Sequence, residues 1–273
     1  MALNQDILIG LIIGIIAYTI QNIGKGIQKY AIEGLKVDKK IKSKSSGIWI
    51  FGTILTSIYM FIQWVALLFA PINIIAPLEG YGLVIFILFS YFILKEDISM
   101  IEILGIIGII IGVVLITAFN PNTGTFQSTD FNALSLLIIS IVILGIEIVL
   151  ILFSRANDYI ASGLIIGGAA GSLMAFQTVS KRITSAPDIT LTIVFGILTL
   201  ILATLTLLLT QFAFAKSKAN RVIPCFTSVS IILSIILGVI SLSEEILLIQ
   251  IGGIAVIIIG VFLLTAFRKE TEI

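Results

Sequence analysis

Only three acidic side chains fall inside long apolar stretches of this sequence, Glu79, Glu102 and Glu147. Insertion scales charge roughly 2.5–3.5 kcal/mol for an acid at the centre of a bilayer-spanning helix, so each needs a reason. Glu79 has the most specific one. It stands in Pro77-Leu78-Glu79-Gly80-Tyr81-Gly82, where the proline strips a carbonyl one turn earlier, near Asn73, of its helical partner. The glycines let another backbone approach. A carboxylate beside loosened backbone oxygens, with Asn73 and Tyr81 close in sequence, suits a hard cation, which takes oxygen ligands and keeps several waters. Glu102 has a cheaper explanation, because Ser99-Met100-Ile101-Glu102 is a capping-box pattern at a helix start. Glu147 is expected nearer the opposite helix end, roughly 12 Å from the Glu79 level, too far to share one ion. A helix-packing or homodimer contact competes with transport for it. Intramembrane amides complete the candidate set: Gln63 and Gln211 as a pair, then Asn22, Gln21 and Gln177 closer to helix ends.

Composition decides what must position these groups. Of 273 residues 59% are hydrophobic and 11% charged, against about 25% charged in soluble domains. The chain is expected to be an all-α polytopic membrane protein with the lipid bilayer as its first partner. With no histidine and a single cysteine, Cys225, His/Cys metal centres, histidine-based triads and internal disulfides are excluded. There is no P-loop, no Gly-x-Ser-x-Gly and no sizeable soluble segment, so neither a nucleotide-driven pump nor an enzyme is expected. A formal charge of +1 offers no basis for nucleic-acid binding.

Apolar runs long enough to cross roughly 30 Å of hydrocarbon occur at residues 7–24, 48–70, 72–94, 98–119, 131–153, 160–180, 189–215, 222–242 and 246–267, predicting nine transmembrane helices. With the N-terminus outside, fourteen of the sixteen basic residues fall on the inner side and only Lys181 and Arg182 outside, as the positive-inside rule requires. The C-terminus is then cytoplasmic, in a cell (plasma) membrane. The first six residues carry no basic group and no small-residue cleavage pattern follows, which gives no reason to expect a cleaved leader.

Ile109 to Phe119 reads IIIGVVLITAF and Ile257 to Phe267 reads IIIGVFLLTAF, nine identities in eleven at an offset of 148. The same offset pairs Gln63 with Gln211, Glu96 with Glu244, Asp97 with Glu245 and Gly105 with Gly253. Pro77 and Pro224 match one residue out of register, and Gln21-x3-Lys25 matches Gln177-x3-Lys181. Helices 1–4 therefore correspond to helices 6–9, giving a first repeat at 1–130, a connecting helix 5 at 131–157 and a second repeat at 158–273. An odd number of crossings between equivalents turns the second copy over. Inverted 4+4 repeats are a mark of secondary transporters, with sites near the midplane, and Gln63 and Gln211 should then face each other.

Phe69-Ala70-Pro71, Pro77 nineteen residues before Glu96, the Pro224-led helix 8 and the closing Gly260 to Phe267 together resemble the drug/metabolite transporter (EamA-like) superfamily, most closely the NIPA-type magnesium transporters. The resemblance spans nearly the whole chain and implies a transporter with Mg2+ as substrate and no resident cofactor; the metal ligand expected from the residue pattern itself is Glu79. The family's acidic residue in helix 2 falls at Met60, while its Pro-Leu-Gly in helix 3 is Pro77-Leu78-Glu79 here. Two other readings stand beside this one, a proton-coupled transporter of a small organic metabolite and a non-transporting membrane scaffold.

Overall fold

The computed structural model describes residues 5–37, 42–95, 98–121, 126–157, 162–216 and 219–266. Among them there is no strand. The helices are α1 (Gln5–Val37), α2 (Lys42–Phe69), α3 (Ile72–Ile75), α4 (Leu78–Phe89), α5 (Met100–Ala118), α6 (Ala133–Ala156), α7 (Ser162–Ile183), α8 (Ile189–Lys216), α9 (Ala219–Ser241) and α10 (Leu248–Ala266). Among the described residues seven helical stretches have the length and hydropathy to cross a membrane, and Cys225–Ser241 and Leu248–Leu264 are shorter apolar stretches. The chain is an integral membrane protein.

Helix lengths differ from expectation where polar residues were taken to end a span. α1 continues through Gln21, Asn22 and Lys25 to Val37, and α7 through Gln177, Lys181 and Arg182 to Ile183. Asn22 and Gln177, expected near helix ends, are thus internal and buried. The expected third span is instead divided. α3 stops at Ile75 and α4 starts after Pro77, because a proline offers no N–H to continue the ladder. α5 begins at the expected capping box, with Glu102 N–H donating to Ser99 Oγ and Ser99 N–H to Glu102 Oε2.

Packing falls into two similar groups. α1 packs on α2 and α4, while α7 packs on α8 and α9. α5 and α10 join them, with glycines at the crossing. A Cβ on Gly105 would meet the Gly260 carbonyl oxygen at 2.8 Å, and one on Gly112 the Gly253 carbonyl at 2.6 Å. Contacts 105 to 260 and 112 to 253 mean that the two helices run antiparallel. No cheap shift accommodates a side chain here, since the opposing atoms are backbone. α6 lies at the edge, touching α7 and α9 through one side, with none of its most apolar window buried.

Gly112→Val should therefore overpack the crossing, at a cost of about 1–3 kcal/mol, seen as a lower melting temperature in detergent. Gly145→Val on α6, where a Cβ meets nothing within 4 Å, should leave the melt unchanged.

Candidate functional site

The two prolines of the divided span decide where unsatisfied backbone lies. Pro71 cannot donate to Leu67, and in apolar surroundings the freed carbonyl needs another donor. Arg182 supplies it, its Nη1 lying 2.7 Å from the Leu67 oxygen. Just past the break, the first N–H groups of α3 are orphans of the helix start. Glu244 takes both, Oε1 accepting from Ile72 N–H at 2.8 Å and Oε2 from Asn73 N–H at 3.1 Å. Arg182 Nε and Glu244 Oε1 are 3.7 Å apart, both side chains buried. Burial raises the Glu244 carboxyl above the usual carboxylate range, against the opposing pull of the Arg182 guanidinium and the two backbone donors. The Phe126 ring packs under the guanidinium, 5.5 Å from its centroid. Trp64 Nε1 donates to Thr184 Oγ1 at 2.6 Å, tying α2 to the turn after α7. Lys181 and Arg182, expected in a loop, are instead among the most deeply buried side chains.

Glu79 opens α4 and is 3% exposed. The Ser230 hydroxyl of α9 is hydrogen-bonded to its carboxyl, while Oε1 has no partner. Tyr18 and Gln63 lie in the same region: Gln63 Nε2 donates to Tyr18 Oη at 2.8 Å, and Gln63 Oε1 accepts from Lys181 Nζ at 2.6 Å. Tyr59 lies 5.2 Å from the Tyr18 ring and 5.6 Å beneath the Lys181 ammonium. The carboxyl interacts electrostatically with Lys25 and Lys181 and with both tyrosines. Asn22 enters from α1, donating Nδ2 to the Tyr18 carbonyl at 2.9 Å and leaving Oδ1 unpartnered. A Cβ at Gly82 would overlap the Asn22 amide nitrogen, and one at Gly80 would meet Ile257 at 2.7 Å. These two glycines let α1 and α10 close on α4 around the acid.

Several expected members are elsewhere. Gln211 is exposed on α8 while Gln63 is fully buried, so the expected face-to-face pair does not form. Asn73 belongs to the Pro71 break, where its Nδ2 donates to the Glu245 carbonyl at 3.0 Å. Tyr81 shares a 3.1 Å hydrogen bond with Thr19 of α1 and braces α4 from the side. Gln177 is buried one helical turn before Lys181. Glu147 is half-buried against α7, hydrogen-bonded to Ser172, with Oε1 unpartnered, and does not join the Glu79 group. Glu96 and Asp97 lie outside the described residues. Sequence reasoning missed Tyr18, Tyr59, Ser230 and the Arg182–Glu244 pair. It had noticed the matching Lys25 and Lys181 but treated them as topology determinants; two lysines at equivalent positions within helices were the available signal.

One carboxylate, amide and hydroxyl oxygens and broken backbone make a sparse oxygen site. Among the described residues no group of three or more His, Cys, Asp or Glu is placed to hold a metal, so a hard cation here would retain much of its water. The family model for the magnesium transporter NIPA matches residues 5–271. The chain belongs to the NIPA magnesium transporter family. No curated protein and no solved structure gives a significant match.

Arg182→Met should strand Glu244 as a buried charge and cost about 3–5 kcal/mol, measured by unfolding in mixed detergent micelles. Adding Glu244→Gln should recover part of that loss, and additive losses would show that the two side chains act separately.

Proposed function

We propose that the chain is a carrier of the drug/metabolite superfamily that moves a divalent cation, Mg2+, through a midplane site at Glu79 between two inverted halves. The observation that carries this reading is the buried Glu79 carboxylate, with one oxygen unpartnered, at a helix break to which α1, α2, α7 and α9 all contribute polar or charged groups. A charged group in a dry span marks a transport pathway more often than packing. Asn22 Oδ1 and the Ser230 hydroxyl supply further oxygens, and water completes the shell. Gln63 orients the cluster through Tyr18 and Lys181.

The inverted arrangement has three supports. The offset of 148 turns Gly105 into Gly253 and Gly112 into Gly260, and the observed contacts, 105 with 260 and 112 with 253, are the ones a two-fold operation exchanges. Glu102 and Gln250 are equivalent, and each side chain accepts from the N–H three residues earlier, at Ser99 and Leu247. Lys25 sits 5.7 Å over the Phe226 ring; Lys25 is the counterpart of Lys181, and Phe226 of Glu79 in the register set by Pro77 and Pro224. On this reading nine helices cross a plasma membrane, N-terminus outside, with α6 linking a first half at 1–130 to a second at 158–273. The Arg182–Glu244 pair then closes the outer side of the pathway.

In proteoliposomes, Glu79→Gln should abolish Mg2+ flux, and Glu79→Asp should weaken it by retracting the same charge. Mg2+ flux at wild-type rates in Glu79→Gln would defeat the reading. Loss of uphill solute transport with intact solute exchange in that variant would instead identify a proton-coupled carrier of a small organic metabolite.

A further inference from the structure

The cluster around Glu79 holds two lysines and one carboxyl. Lys181 of α7 donates to Gln63 Oε1, Gln63 Nε2 donates to Tyr18 Oη, and Tyr18 packs on Gly82, one turn along α4 from Glu79, so the Lys181 ammonium and the Glu79 carboxyl, with Lys25 of α1, belong to one buried cluster. The groups from the other packed elements are Tyr18, Tyr59, Gln63 and Ser230. None is anionic near neutral pH, the phenols titrating near 10 in water. In the proposed register the position equivalent to Glu79 is Phe226, so two lysines share a single acid.

We propose that Lys181 sets how tightly this site holds a divalent cation, by standing as the counter-charge of Glu79 while no cation is bound. This rests on the reading that Mg2+ binds at Glu79. Lys181 is fully enclosed; its ammonium is held by Gln63 Oε1 at 2.6 Å and lies 5.6 Å from the centre of the Tyr59 ring, so it has no open route away from the site. Lys25 is less enclosed and leans on Phe226. A cation arriving at Glu79 must therefore share the carboxylate with a fixed positive neighbour. Coulomb repulsion scales with the product of the charges, so a divalent ion suffers twice what a monovalent one does. Lys181 thereby keeps Mg2+ from becoming trapped, and conduction requires binding weak enough to release the ion.

The test is Mg2+ titration calorimetry on the purified full-length protein in detergent, with K+ affinity measured by competition. Lys181→Met should bind Mg2+ at least about tenfold more tightly than wild type, and the logarithm of the gain should be about twice that for K+, as the charge product demands. Lys181→Arg keeps the charge and should show no gain. Should Lys181→Met fail to fold, Lys181→Gln, which is neutral and can still donate to Gln63, carries the same expectation. A folded neutral variant with unchanged or weaker Mg2+ affinity overturns the proposal, because a merely structural lysine loses affinity when removed. A gain of equal size in Lys181→Arg overturns it too. Glu79→Gln separates the two levels: wild-type Mg2+ binding in that variant defeats the underlying site and the lysine's role with it, whereas lost binding there beside an unchanged Lys181→Met defeats the lysine's role alone.

Discussion

Backbone polar groups cannot be left bare where no water reaches, and the span from Ile72 to Ile93 violates this at its start unless other parts of the chain intervene. Pro71 removes the donor for the Leu67 carbonyl, and the two N–H groups that follow have no helical partner. Arg182 and Glu244, both from the C-terminal half, answer these needs together. A local defect in one half is thus cured only by contact with the other. That requirement draws the ends of α7 and α9 onto the break and brings Lys181, one residue before Arg182, to the level of Gln63 and Tyr59.

The same logic explains why α4 can carry an acid. A continuous helix would leave Glu79 on a smooth apolar face. The break after Ile75 starts a new helix at Leu78, and Gly80 and Gly82 pare its surface so that Ile257 and the Asn22 amide fit against it. The carboxylate is then surrounded by side chains from several helices. Tyr18, Gln63 and Lys181 form a hydrogen-bonded bridge from α1 through α2 to α7, which couples the position of the lysine to the helix carrying the acid's other neighbours.

Much of this was legible beforehand because its causes are local. Apolar run length located the helices, the Ser99 to Glu102 spacing announced its capping box, and Pro77 marked the break beside Glu79. Helix ends were misjudged at α1 and α7, since polar and basic residues normally signal an interface; here Lys25 and Lys181 meet partners far away in sequence, Phe226 and Gln63, while Asn22 bonds back to the Tyr18 carbonyl of its own helix. Gln211 failed for the opposite reason. Repeat equivalence fixes a position along a helix, but whether its side chain is enclosed depends on how closely the neighbouring helix lies, and Gln63 is enclosed while Gln211 is not. Arg182 and Glu244 could not be paired from sequence because they stand 62 positions apart and only the freed backbone at Pro71 gives them a common target.

α6 contributes almost nothing to the packed interior, its most apolar window lying wholly outside it. In the proposed arrangement its value is parity. One additional crossing decides whether two homologous halves meet head to head or head to tail, and any apolar helix of sufficient length does that equally well. The chemical demands on α6 are confined to one side, where Leu136, Ile139 and Ile143 rest on the core, the Asn132 N–H reaches the Ser241 carbonyl and Glu147 meets Ser172; the aliphatic residues on its other faces are free to interchange.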